Sequence, residues 1–144
     1  MLVALQMAGL RLRKGRTLTS PQEVFSHLKA LLAGYEHEVF ALLMLDSRHR
    51  RIAFEEVFRG TLYSASVYPR EIVKIALKCN AAAIIFVHNH PSGDPEPSTA
   101  DRNLTTKLQD ALNVVGVRTL DHSVVGQEDC VSLVERGYLS RRCK

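Results

Sequence analysis

The sequence predicts an α/β fold, a mixed β-sheet flanked by helices. Two continuous apolar runs of strand length, VFALLMLD (39–46) and AAAIIFV (81–87), read as strands covered on both faces. Segments with apolar residues at helical spacing alternate with such runs, which is the pattern of helices packed on a sheet. The chain of 144 residues, 46% apolar and 24% charged, suits one domain with its own core.

Residues 2–13 read as a helix and KGRTLT (14–19) as a connector, so the domain is expected to occupy 20–144. Ser20-Pro21-Gln22-Glu23 has the form of a capping box with proline at the first helical position. The helix it opens carries Val24, Phe25, Leu28, Leu31 and Leu32 on one stripe and stops near Gly34. After strand 39–46, SRHR is a turn, and RIAFEEVFRG (51–60) is the hairpin partner. Pro69 opens a helix to about Lys78, with Ile72, Val73, Ala76 and Leu77 inward. AAAIIFV follows, then a helix from Ser98 to Val114 carrying Leu104, Leu108, Ala111 and Leu112. VRTLDHSVVG (117–126) is a fourth strand, and VSLVERG (131–137) is a short strand or helix.

Composition excludes several classes. No run approaches the roughly 20 apolar residues of a membrane helix. MLVALQMAGLRLRKG places its basic residues after its apolar part and is not expected to be a signal peptide. Cys79, Cys130 and Cys143 are too dispersed for a disulfide framework or a thiol-ligated metal, which points to the cytoplasm. The net charge of +4 comes from the ends: Arg11, Arg13, Lys14 and Arg16 at one, Arg141, Arg142 and Lys144 at the other. Between them acids outnumber bases, so any DNA contact is expected to be weak and to run through these termini.

HNHPSGDPEPSTAD (88–101) carries the chemistry. On a strand, His88 and His90 point to one face. Pro91 and Gly93 turn the chain, and Asp101 falls in the first turn of the next helix, where the helix dipole favours a carboxylate. Two imidazoles and a carboxylate suit Zn²⁺ and leave a fourth tetrahedral position open, the mark of a catalytic site. Ser98 and Asp101 also fit a capping box, with aspartate in place of glutamate, and the two roles are compatible. Asn89 points away from the histidines and is expected to brace the loop. His122, after Asp121 in mid-strand, is expected to pack behind the site, since a fourth protein ligand would close it. The triplet H-N-H is not the nuclease motif of that name, whose three residues are separated. Neither H-E-x-x-H nor P-C-x-x-C is present.

The spacing His88-x-His90, seven residues, Ser98, two residues, Asp101 resembles the JAMM (MPN+) motif of zinc-dependent isopeptidases. LLMLDSRHR, FRGTL, VYPREIVKIAL, HNHPSGDPEPSTAD and GVRTLDHSVVG resemble RadC-type proteins, the bacterial branch of that group, from about Ser20 to Leu139. The resemblance implies a JAMM/MPN-like core related to the cytidine deaminase fold. It implies zinc on His88, His90 and Asp101, an oxyanion-stabilising Ser98, and an upstream glutamate acting on water. Glu38, directly before strand 39–46, matches that glutamate; Glu36 is its rival, while Glu55 and Glu56 fit the pattern poorly. The implied activity is zinc-dependent hydrolysis of a peptide or isopeptide bond in a protein or peptide substrate. The alternatives are a nuclease or DNA-binding accessory protein of DNA repair, and an interaction module with an idle site. Longer RadC-type proteins place a helix-hairpin-helix DNA-binding module before this domain, and residues 2–13 resemble the joining helix.

Overall fold

The structure, a computed structural model, describes residues 20–60, 67–91 and 93–140. The expected helix over 2–13, its connector and the basic residues of both ends lie outside the described residues.

Helix α1 (Pro21–Leu32) starts at its capping signal. Ser20 is extended, and its Oγ accepts from the Glu23 N–H at 3.2 Å. Leu28, Leu31 and Leu32 are buried against the sheet, with Val24 and Phe25 packed beside them. Strand β1 (Val39–Leu45) is buried at every position and pairs with β2 (Arg51–Arg59) as an antiparallel hairpin. Asp46 holds the turn between them, because its Oδ1 accepts from the Arg48 and Arg50 N–H groups, each at 2.9 Å.

Helix α2 (Pro69–Lys78) buries Ile72 and Ala76, with Val73 and Ile75 packed at the flank. Leu77, expected inward, is instead 56% exposed. At 100° per residue it lies off the stripe that Ile72 and Ala76 define, and Ile75 takes the inner position. Strand β3 is Ala83–Asn89, two residues later than the apolar run suggests, so His88 and Asn89 belong to the strand and His90 follows it. Helix α3 (Thr99–Val114) buries Leu104, Leu108 and Leu112, with Ala111 half-buried. Strand β4 is Arg118–Val125, and the last segment contains a short strand, β5 (Cys130–Ser132).

The five strands form one mixed sheet in the order β2-β1-β3-β4-β5. Only β3 and β4 are parallel, and α3 supplies the crossover that a parallel pair requires. Alternation along the strands separates two cores. Ala41, Leu43, Leu45, Ile85 and Val87 face α1, while Phe40, Leu42, Met44, Ile84 and Phe86 face α2 and α3. Each large apolar side chain buried in this way contributes about 1.5–3 kcal/mol. The same alternation puts His88, two residues past Phe86, on the face of α3, and Asn89 on the face of α1. The fold is the expected α/β, MPN-like arrangement.

Candidate metal centre

The centre forms where three chain segments meet: the residues leading into β1, the end of β3, and the first turn of α3. In the β1–β3 ladder Phe40 lies opposite His88. Glu38, two residues before Phe40, therefore reaches the same face as His88, and its Oε1 lies 4.0 Å from His88 Nε2. On the other side of the ring, His88 Nδ1 lies 3.3 Å from Asp101 Oδ1, and His90 Nε2 lies 3.8 Å from Asp101 Oδ2. The two histidine rings meet edge to face, their centroids 4.7 Å apart. Glu36 lines the neighbouring groove, and Glu55 and Glu56 are on β2, with Glu56 paired to Arg59.

Local structure fixes each donor. Ser98 and Asp101 form the complete capping box of α3: Ser98 Oγ accepts from the Asp101 N–H at 3.1 Å, and Asp101 Oδ2 accepts from the Ser98 N–H at 2.8 Å. The Asp101 carboxylate is thus oriented by its own helix start. His90 Nδ1 lies 2.8 Å from the Asp94 carbonyl oxygen, which can only accept, so Nδ1 carries the proton and Nε2 keeps its lone pair. Gly126, just past β4, packs on the loop between the histidines and α3. A Cβ there would overlap the Gly93 carbonyl oxygen, and His90 N–H donates to the Val125 carbonyl at 2.8 Å. Glu96 receives Arg136 Nη1 at 3.0 Å on both oxygens, which ties the same loop to the C-terminal segment.

Exposure is graded. The side chains of His88 and Asp101 are 3% exposed, His90 15% and Glu38 28%, so the cluster opens toward Glu38 and His90. A groove of about 480 Å³ on the α1 side, bounded by Tyr35, Glu36, Asn89, His90, Pro91 and Gly126, meets the cluster at His90. A second hollow, about 400 Å³, lies on the α1 face among Val24, Phe25, Ile85 and Leu120, away from both histidines. Burial opposes charge on Asp101. The contact with His88 and the Ser98 N–H outweigh it and hold the carboxyl well below the usual carboxylate range.

The buried His88 is held between Asp101 and Glu38, and among the described residues no hydrogen bond of good geometry reaches either ring nitrogen. A buried polar group left so costs about 1–3 kcal/mol. Donors of a tetrahedral zinc site, each about 2.0–2.2 Å from the ion, stand roughly 3.3–3.6 Å apart. Glu38 faces His88 through Nε2 and Asp101 faces it through Nδ1, and one imidazole gives one nitrogen to one ion, so these two contacts belong to different donor sets. The ligand atoms of Glu38, His88 and His90 also lie within 4.8 Å of one another. The donors therefore suit a divalent metal such as zinc. The set whose ligand atoms converge is Glu38, His88 and His90, while Asp101, expected as the third ligand, meets the two histidines pairwise.

Residues 18–138 match the family described as RadC-like JAB domain. This chain belongs to that family. A UPF0758 protein of Vibrio cholerae is 58% identical over 126 residues, covering 88% of this chain and 79% of the relative. One of Halorhodospira halophila is 56% identical over 137 residues, covering 95% of this chain and 61% of the relative. A third, of Nitrosomonas eutropha, is 56% identical over 128 residues, with shares of 89% and 57%. This RadC-like JAB chain thus spans less than two thirds of the latter two. Among its described residues no helix is long and apolar enough to cross a membrane.

Two supporting residues of this RadC-like JAB domain stand out. Thr105, on the inner face of α3, donates its Oγ1 hydrogen to the Asp101 carbonyl at 2.6 Å and touches His122 Nδ1. His122 is wholly buried, 6.2 Å from the His88 ring and edge-on to Phe40 and Phe86. Burial, with the charges of His88 and His90, pushes its pKa down, against the pull of Asp101. It is a neutral packing residue behind the site. Thr105 is not singled out by sequence; its one signal is the i+4 spacing from Asp101.

Proposed function

We propose that this chain is a zinc-dependent hydrolase of peptide or isopeptide bonds. The observation that carries the reading is the meeting of His88, His90, Asp101 and Glu38 at one point that opens to solvent on the Glu38 and His90 side. His88, His90 and Asp101 hold the ion, because Asp101 is buried, ionised and faces both rings. Glu38 stays outside the ligand set as general base, since its carboxylate is the one reached by solvent. A bound zinc ion supplies a water nucleophile at neutral pH and polarises the attacked carbonyl.

Glu38 takes a proton from the attacking water as the new C–O bond forms. It returns that proton to the leaving nitrogen as the C–N bond breaks. The Ser98 Oγ accepts from the Asp101 N–H, and its own hydrogen has no protein acceptor among the described residues. That O–H donates to the substrate carbonyl oxygen as charge develops on it. The substrate is a protein or peptide. The unbridged Cys79 and Cys130 accord with work in the reducing cytoplasm.

The test is metal analysis of protein purified without chelator or histidine tag, followed by a mass-spectrometric cleavage screen on peptide and isopeptide libraries. The reading expects one zinc per chain and cleavage that Glu38→Gln abolishes. Metal-free protein, or zinc-loaded protein that cleaves as well with Gln at position 38, overturns it.

A further inference from the structure

The regular ladder between β1 and β3 ends at Phe40 opposite His88. One residue on, a side chain takes over. Asn89 Oδ1 accepts from the Val39 N–H at 2.6 Å, and Asn89 Nδ2 donates to the His37 carbonyl at 3.1 Å. Those two groups flank Glu38 in the chain. From the opposite side the Gly60 N–H donates to the Glu38 carbonyl at 2.8 Å. Glu38 precedes β1, where a strand would ordinarily fray, yet its backbone is held from both neighbours. Asn89 itself is 5% exposed, and its backbone pairs with Val125 in the β3–β4 ladder, so the clamp stands on a rigid strand.

From these contacts we propose that Asn89 is a positioning residue: its carboxamide brackets Glu38 and sets where that carboxylate stands relative to the histidines. The inference rests on the zinc reading above. A carboxamide is the group the geometry calls for. It offers one acceptor and one donor in a plane, as a peptide unit does, and only one orientation serves both a backbone N–H and a carbonyl. Aspartate offers no donor to His37, and serine is too short to reach both. Strand alternation completes the logic. His88 faces the metal side, and the next residue, on the reverse face, fixes the segment that brings Glu38 to that side.

The test uses Co²⁺ alone as probe, with amide hydrogen exchange, on the parent, Asn89→Ala, Glu38→Gln and the double variant. In Asn89→Ala the Val39 amide is expected to exchange about tenfold faster, the loss of one hydrogen bond, while the Leu42 and Leu43 amides keep parental rates. Co²⁺ affinity is expected to fall about tenfold in each single variant and no further in the double, because Asn89 acts through Glu38. Parental Co²⁺ affinity in Asn89→Ala, or losses that multiply in the double, overturns the proposal. If Asn89→Ala does not fold, Asn89→Ser carries the same test, since it is polar and uncharged yet too short to reach both Val39 and His37. A parent that takes up no Co²⁺, or a His88→Ala/His90→Ala variant that takes up as much as the parent, overturns the metal centre itself. That failure is recognisable because Val39 exchange still responds.

Discussion

His90 Nδ1 donates to the Asp94 carbonyl at 2.8 Å, and this single contact turns the Nε2 lone pair toward Asp101. The loop's backbone, not a side chain, thus sets the tautomer of the more exposed histidine. Among the described residues His88 has no such backbone partner, and it stands between two carboxylates, Asp101 at Nδ1 and Glu38 at Nε2.

Zinc is expected at one ion per chain. His88→Ala should abolish binding, since the remaining donors hold zinc poorly. Metal analysis after dialysis checks this, and full occupancy in a His88→Ala/His90→Ala variant would sink the assignment.

The two carboxylates should separate by role. Glu38→Gln is expected to keep the fold and, at saturating zinc, one ion per chain, while losing hydrolysis, because an amide cannot carry the proton. Asp101→Asn should lose more than about 100-fold in zinc affinity, beyond the roughly tenfold of a group that only supports the ligands, and also weaken the start of α3. Calorimetric zinc titrations of both variants decide. Loss of zinc stoichiometry in Glu38→Gln alone would make Glu38 the ligand.

Ser98 should show two losses at once. As the cap of α3, Ser98→Ala costs about 0.5–2 kcal/mol of stability. As an oxyanion donor it contributes about 2.7–4 kcal/mol to the transition state, roughly 10²–10³ in rate. The hydroxyl can do both, accepting from the Asp101 N–H while donating to substrate. A modestly lower melting temperature with kcat down at least tenfold and zinc retained is the expected outcome. Near-parental kcat measured well below the melting range leaves only the cap.

Cys130 should resist alkylation in the folded protein. Burial first, then the charges of Asp121 and Glu135, push its thiol up to about 12 against a hydrogen bond with Ser123. At pH 8 only about one molecule in 10⁴ then carries the reactive thiolate. The folded pKa lies above the unfolded one, so the thiol's contribution to stability is complete below about pH 9 and fades as pH rises toward 12. Iodoacetamide labelling followed by peptide mass spectrometry should show Cys130 reacting at least 100-fold faster in urea. Equal rates in both states would contradict this.

What could be seen in the sequence was local. β1 and β3 follow from uninterrupted apolar runs, and the caps at Ser20 and Ser98 from four-residue patterns. His88 and His90 follow from strand alternation, which needs no knowledge of the partner strand. What depends on the order of strands could not be seen. Asn89 reaches His37 and Val39 only because β1 lies beside β3. Its orientation away from the histidines was legible; the segment it holds was not. Leu77 misled for another reason: its apolar character suggests burial, but its angular position on α2 faces outward. The contact of Thr105 with His122 depends on how α3 settles on β4, which no window of sequence contains.

The donors come from segments far apart in the chain, and only His88 and His90 are neighbours along it. An unfolded chain keeps that pair but not the carboxylates that complete it. On the proposed reading an ion therefore binds the folded form far better than the unfolded one, adding about 2.7 kcal/mol when free zinc stands at a hundred times its dissociation constant. Abundance would then follow nutrition: in a zinc-starved cell more of the chain visits the unfolded state, where proteases remove it.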